Sequence, residues 1–204
     1  MKKVLGIFCH PDDEILFGWP VFQNKDYERH LIICCDDYSR RGSIRASCLR
    51  KVCKQENIRL VDVLSEDNDF YALPTRRADY LLTDATERIV KTLNRNILNL
   101  QPDYIFVHNP VGEYGHGSHR LLFELVSQSE MVQNLLITDI CQESNHRSHK
   151  MIPGIVWQNH YQHRQGSSKL DRSFYFRCKK IYDDANAWSW SKSVIESCDL
   201  YLLK

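Results

Sequence analysis

The chain has 204 residues, 43% of them hydrophobic and 26% charged, enough for a packed core that buries roughly 70% of the unfolded surface without staples. Its 27 Lys and Arg against 26 Asp and Glu leave a formal charge of +1, which gives no reason to expect nucleic acid or an anionic membrane as a partner. No window approaches the ~20 apolar residues of a membrane span. Met1-Lys2-Lys3 leads into only six apolar or small residues, Val4 to Cys9, too few for a signal peptide. The eight cysteines contain no Cys-x-x-Cys pair, and in a chain of this kind they are expected to be reduced. A cytoplasmic protein is the expectation. The basic pairs Arg40-Arg41 and Arg50-Lys51 read as solvated surface, since Lys and Arg are rarely buried.

In chain order, Val4 to Phe8 is a short apolar run that stops at polar residues, the pattern of a fully buried strand. Ile15, Leu16, Trp19, Val21 and Phe22 then recur at helical spacing. His30 to Cys35 is a second strand, and Ile44, Cys48, Val52 and Cys53 share one helical face. Leu60 to Leu64 is a third strand. Arg76 to Leu100 is helix-favouring and free of Gly and Pro, and Gln101-Pro102-Asp103 stops it. Tyr104 to Val107 is a fourth strand, Leu121 to Val126 a helix, and Leu135 to Ile140 a fifth strand. Beyond Cys141 the pattern blurs into polar, His-rich sequence. Strands alternating with helices predict an α/β, Rossmann-like three-layer fold with a mostly parallel sheet. No repeat or linker interrupts it, so residues 1–204 are expected to form a single domain.

In doubly wound sheets the ligand lies beyond the carboxyl ends of the strands, where the strand order reverses. Two segments leave strands at that edge carrying metal-ligand chemistry: His10-Pro11-Asp12-Asp13-Glu14 after the first strand, and Gly112-Glu113-Tyr114-Gly115-His116-Gly117-Ser118-His119 after the fourth. If Asp13 opens a helix, His10 and Asp13 converge while Asp12 projects elsewhere. His116 and His119, three apart at a helix start, share a face. Two imidazoles and one carboxylate leave an open coordination position, the pattern of a catalytic rather than a structural zinc. Each signal also has an ordinary reading. An acidic cluster after a strand is most often a helix cap and first turn. His-x-x-His occurs three times, and His146/His149 and His160/His163 lie in polar sequence and read as surface loop. His30 and His108, within or beside strands, read as core or edge histidines.

His10-Pro11-Asp12-Asp13-Glu14 after a first strand, with a later His-x-x-His, resembles the PIG-L/LmbE-like zinc N-deacetylases. The stretch Pro102 to Pro110 running into Gly112-Glu113-Tyr114-Gly115-His116 resembles the family's second block, and the likeness covers about Val4 to Val126. It implies that His10, Asp13 and His119 ligate one zinc ion (Zn2+) per chain, or another divalent metal. It further implies that Asp12 is the general base and that His116 stabilises the oxyanion or protonates the leaving amine. Arg45, after the second strand, is similar to the family's substrate-contacting arginine. The implied activity is hydrolytic removal of an N-acyl, above all N-acetyl, group from a small-molecule amino sugar or glycoconjugate. Two positions depart from the pattern: Gly117-Ser118 stands where Pro-Asp or Pro-Glu is frequent, and Cys48 stands where an acidic residue follows the arginine by three. They motivate a different reading, a Rossmann-like metal-binding protein that has lost catalysis. A metal-dependent phosphoesterase is a third, against which stands the lack of a Gly-rich phosphate loop. Substrate choice is expected to be set by the C-terminal third.

Overall fold

A computed structural model of the chain describes residues 1–34, 42–64, 84–141 and 163–203. In chain order these form β1 (Lys2–Phe8), α1 (Asp13–Leu16), α2 (Trp19–Phe22), β2 (Tyr27–Ile33), α3 (Gly42–Gln55), β3 (Arg59–Val63) and α4 (Asp84–Leu100). They continue with β4 (Tyr104–Val107), α5 (Gly112–Gly115), α6 (Gly117–Ser127), β5 (Leu135–Thr138), β6 (His163–Lys169), α7 (Arg172–Asp184) and β7 (Ser197–Leu202). The seven strands make one sheet in the order β3-β2-β1-β4-β5-β7-β6. The first five are parallel, β7 pairs antiparallel with β5, and β6 pairs antiparallel with β7.

Alternation along the strands sorts the core into two layers. Val4 and Phe8 of β1, Leu31 and Ile33 of β2, Phe106 of β4 and Leu136 of β5 face one side. There they pack on α1, α2, α3 and α7 through Ile15, Phe22, Leu49, Phe174 and Tyr182. Leu5, Ile7, Ile32, Ile105, Val107, Leu135 and Ile137 face the other side, against Ile89, Leu93 and Ile97 of α4 and Leu121, Leu122 and Leu125 of α6. Because both faces of the central strands are covered, β1 and β4 read as unbroken apolar runs rather than alternating ones. The Phe22 ring lies directly over β1 at Gly6, where an added Cβ would stand 2.3 Å from Phe22 Cζ.

The strand order reverses between β1 and β4: from β1 the chain steps to β2, from β4 it steps the other way to β5. Both ligand-bearing segments leave the sheet there, on adjacent parallel strands, with Val4 opposite Tyr104 and Ile7 opposite Val107. The three-layer, mostly parallel fold is as expected from the alternation of strands and helices. The expected helix across Ile15 to Phe22 is instead two short helices, α1 and α2, with Phe17-Gly18 between them. The break takes glycine, since a Cβ on Gly18 would fall 2.7 Å from the Phe22 ring and 2.8 Å from the Glu14 carbonyl. The fifth strand ends at Thr138 rather than Ile140, and the C-terminal third supplies two strands and a helix where only blurred sequence was expected. Residues 76–83 of the expected long helix lie outside the described residues, as do His146, His149, His160, Arg40 and Arg41. His163 sits exposed on β6, a strand rather than a loop. Among the described residues no helix is long and apolar enough to cross a membrane, and Cys48, Cys53, Cys178 and Cys198 are free thiols.

Candidate functional site

The turn after β1 is set by backbone and side-chain bonds acting together. The Asp13 amide donates to the His10 carbonyl at 3.2 Å, and the His10 amide donates to Asp13 Oδ2 at 2.8 Å. Asp12 takes a left-handed conformation, φ 100° and ψ −21°. That region is uncomfortable for a residue with a Cβ and persists only where surroundings hold it. Asp12 is the N-cap residue of α1, yet its carboxylate makes no capping bond. The acidic cluster is therefore not a simple helix cap. Asp12 Oδ1 accepts from Arg45 Nη2 at 2.6 Å, Asp12 Oδ2 accepts from Ser189 Oγ at 2.7 Å, and Arg45 Nη2 also donates to the Pro11 carbonyl.

The second segment is folded around Glu113. Gly112 has φ 68°, and a Cβ there would meet Arg120 Cγ at 2.9 Å and His119 Cβ at 3.3 Å, so glycine is required on both counts. Glu113 itself has φ 53° inside a kinked turn. Its Oε1 accepts from the Asn109 amide at 3.0 Å, and its own amide donates to Asn109 Oδ1 at 3.1 Å. Its Oε2 meets His108 Nδ1 at 3.0 Å and His119 Nδ1 at 2.7 Å. Burial alone would raise the Glu113 carboxyl, but the charges and hydrogen bonds of His108 and His119 outweigh it and hold the pKa at about 2.

These two turns bring His10, Asp13, His116 and His119 together. Asp13 Oδ2 lies 3.4 Å from His10 Nδ1 and 3.4 Å from His119 Nε2. Tetrahedral zinc with ligand arms of ~2.1 Å sets its ligand atoms ~3.4 Å apart, so the separations already suit that ion. His119 is fully buried and its Nε2 has no hydrogen-bond partner, while Glu113 fixes its Nδ1. A carboxylate on one imidazole nitrogen with the other left open is how a metal-binding histidine is oriented and made more basic. Burial would raise the Asp13 carboxyl, but the charge of His119 and the hydrogen bonds of His10 and His108 carry it well below the usual range. His10, Asp13 and His119 thus fit one divalent cation, with donors that suit zinc.

A second group, Cys9, His108 and His119, also has its donor atoms close together. It fits a cation less well. His108 has both nitrogens engaged, Nδ1 with Glu113 and Nε2 accepting from the Cys9 amide at 3.0 Å. A metal on Nε2 would orphan that buried N–H, at a cost of ~1–3 kcal/mol. His108 is better described as a support: its ring stacks on His119 with centroids 3.7 Å apart and planes 15° from parallel. It is a satisfied buried histidine, as expected, and its contacts put it beside the candidate ligands. His30, by contrast, is buried in β2 with Nε2 on Glu28 Oε1 at 2.8 Å.

His116 is next to the cluster without sharing its donor geometry. Its ring centroid is 4.4 Å from that of His119 and 5.2 Å from that of His10. Burial, with the charges of His119 and His10, lowers its pKa to about 2, so the ring is neutral. Asp12 is pushed up to about 6, by burial first; Asp13 adds to this and Arg45 opposes it. Glu14 behaves more strongly: fully buried, it rises to about 8 although Tyr182 and the Asp12 amide hydrogen-bond to it. Phe17, Tyr114 and Trp190 close the wall, with Trp190 5.7 Å from Phe17 and 5.1 Å from Tyr114 between ring centroids.

Every residue singled out for the site in the sequence is therefore at this sheet edge, whereas Glu113, Glu14, His108, Tyr182, Ser189 and Trp190 were not singled out. A signal for Glu113 existed: a ligating histidine needs an orienting acceptor, and Glu113 is the acidic residue within the glycine-flanked turn. Ser189 and Tyr182 left no such signal, being 177 and 168 residues from their partners Asp12 and Glu14.

The fold is a doubly wound α/β one, and the candidate site lies at the switch point of its sheet. The chain belongs to the PIG-L family, described as GlcNAc-PI de-N-acetylase, which matches residues 5–129, and it is thereby one of the hydrolytic N-deacetylases. Among solved structures, the zinc-inhibited form of the teicoplanin deacetylase Orf2 is similar with TM-score 0.63 and 11% identity, covering 98% of this chain and 97% of that one. N,N'-diacetylchitobiose deacetylase from Pyrococcus horikoshii has TM-score 0.55 and 15% identity, covering 92% and 71%. GalB, the 4-carboxy-2-hydroxymuconate hydratase of Pseudomonas putida KT2440, has TM-score 0.59 and 10% identity, covering 100% and 97%. At these identities the likeness speaks to the fold alone. No curated protein matches the chain by sequence.

Proposed function

We propose that this protein is a zinc-dependent hydrolase that removes an N-acyl group, in the first place N-acetyl, from a small amino sugar or amino-sugar conjugate. The observation that carries the reading is His119: a fully buried imidazole with an unpartnered Nε2, oriented by Glu113 and set 3.4 Å from Asp13 Oδ2. His10, Asp13 and His119 would hold the metal. When bound, zinc supplies a Lewis acid and lowers the pKa of water from 15.7 toward ~7, bringing hydroxide within reach at neutral pH.

The rest of the chemistry falls to side chains of this chain. Asp12 takes a proton from the attacking water as its oxygen bonds to the amide carbonyl carbon. His116, in the neutral form that its buried place favours, donates a hydrogen bond to the developing oxyanion. As the carbon–nitrogen bond breaks, Asp12 returns the proton to the leaving amine, so that a carboxylic acid and a free amine are the products. Arg45 holds Asp12 and contacts the substrate.

Zinc-loaded protein given a panel of N-acetylated amino sugars and their lipid, inositol, nucleotide and oligosaccharide conjugates should release acetate and free amine in equal amounts. Zinc binding with no acetate from any of them would support the metal-binding protein without turnover. Release of phosphate from phosphate esters would support the phosphoesterase.

Two substitutions apportion the roles. His116→Ala should keep its zinc and lose ~10²–10³ in kcat, the scale of a lost oxyanion donor; loss of zinc in parallel would make His116 a ligand. Arg45→Ala should keep its zinc and lose ~10–100-fold in kcat/KM, the scale of a hydrogen bond to a charged group. A fall confined to kcat would mean that Arg45 acts through Asp12, and unchanged kinetics would remove it from the site.

A further inference from the structure

We infer that Ser189 is a positioning residue for Asp12, and that the C-terminal stretch from Tyr182 to Trp190, beyond the part of the chain that matches the family, builds one wall of the catalytic centre. The inference rests on the N-deacylase reading for its kinetic consequence. Asp12 sits in a left-handed conformation that its own residue type does not enforce, so its aim depends on what grips it. Four bonds do. The Asp12 amide donates to Glu14 Oε2 at 2.8 Å, and Glu14 Oε1 in turn accepts from Tyr182 Oη at 2.8 Å, which ties the turn to α7. Arg45 holds Oδ1 at 2.6 Å and also grips the Pro11 carbonyl, while Ser189 holds Oδ2 at 2.7 Å.

A serine in an exposed stretch meeting a carboxylate is ordinarily a passing surface contact. Ser189 differs because both neighbours in sequence are anchored. Trp188 lies against Tyr182 and Tyr175 of α7, with ring centroids 6.0 and 6.2 Å apart, and Lys179 Nζ stands 5.1 Å over its ring. Trp190 packs on Phe17 and Tyr114, whose ring is 5.4 Å from His116. Before them, the Ala187 amide bonds back to the Tyr182 carbonyl at 2.8 Å, turning the chain from the end of α7 toward the site. The hydroxyl is thus delivered from a fixed position to the second oxygen of a nearly fully buried carboxylate. With one oxygen on Arg45 and the other on Ser189, the carboxylate plane is set and its remaining lone pairs keep one direction, which a base must have to meet its proton.

The test uses the full chain loaded with zinc and the best N-acetyl substrate of the panel. Ser189→Ala should lower kcat ~10-fold with KM and zinc content unchanged, and Ser189→Thr, which keeps the hydroxyl, should restore most of it. Wild-type kcat in Ser189→Ala overturns the inference, as does a fall in zinc content or a change in KM alone. A second measurement does not need turnover: Ser189→Ala should lower the melting temperature when Asp12 is present and leave it unchanged in an Asp12→Ala background. Equal shifts in both backgrounds mean that the two side chains are uncoupled and overturn it as well. A wild type that hydrolyses no amide would sink the N-deacylase reading, and the melting cycle would then decide by itself whether Ser189 holds Asp12.

Discussion

Asp12→Asn should retain its zinc while kcat falls by ~10²–10⁴, the range for a lost general base, whereas Asp13→Asn should lose zinc first and regain part of its activity when zinc is added in excess. The two aspartates are adjacent in sequence and answer differently because the turn after β1 sends their side chains apart. Asp13 lies in the first turn of α1, with Oδ2 among His10, His108 and His119 at 3.3 to 3.4 Å. His10 Nδ1 and His119 Nε2, each 3.4 Å from Asp13 Oδ2, stand where co-ligands of one cation would, while His108 Nε2 is taken by the Cys9 amide. Asp12 faces the other way, into Arg45 and Ser189, and no imidazole nitrogen stands in hydrogen-bond contact with it among the described residues. The amide of Asp12→Asn still offers an oxygen to Arg45 or Ser189, so the turn should survive, but its nitrogen cannot take a proton from water. Activity followed against added zinc for the two variants side by side is the decisive measurement. Rescue of Asp12→Asn by zinc, with none for Asp13→Asn, would reverse the two roles.

The legibility of this protein in its sequence follows burial and range. β1, β4 and β5 are covered on both faces and so are continuous apolar runs, which a window of a few residues detects. β6 is the opposite: His163-Arg164-Gln165-Gly166-Ser167-Ser168-Lys169 is an edge strand, largely exposed, paired in the sheet with β7. No apolar period could have announced it. α7 does carry a signal in its sequence. Asp171 caps it by accepting from the Ser173 amide at 2.8 Å, and Phe174, Tyr175, Cys178 and Tyr182 share its buried face. In the site, the residues recognised from sequence lie on the segments that follow β1, β2 and β4 at their carboxyl ends, where chain order and chemistry coincide. A single histidine at the end of a strand has no pattern, so the stacking of His108 on His119 and its bond to Glu113 are visible only in three dimensions. Tyr182 and Ser189 were out of reach for a plainer reason, that the sheet had to form before α7 and the chain after it could come back over α1.

His119→Ala should abolish stoichiometric zinc binding, the largest single effect expected in this protein. Three protein donors are available, and removing the one that is fully buried, oriented and otherwise unpartnered leaves His10 and Asp13, too few to hold the ion against a chelator. Glu113→Gln tests the same geometry from one shell further out. Glu113 Oε2 accepts from both His119 and His108, and replacing the anion with a neutral amide removes the charge that fixes the proton on His119 Nδ1 and leaves Nε2 open. Zinc affinity, read by competition with a chelator, should therefore fall ~10–100-fold rather than vanish. Cys9→Ser discriminates between the two donor groups that share His119. With the metal on His10, Asp13 and His119, the Cys9→Ser protein should bind zinc as the wild type does, because Cys9 then contributes its amide to His108 and its thiol to nothing on the ion. If Cys9→Ser lost zinc and His10→Ala kept it, the cation would belong to the thiol side of His119. Asp13 would then lose its metal, and Asp12 its claim to the base.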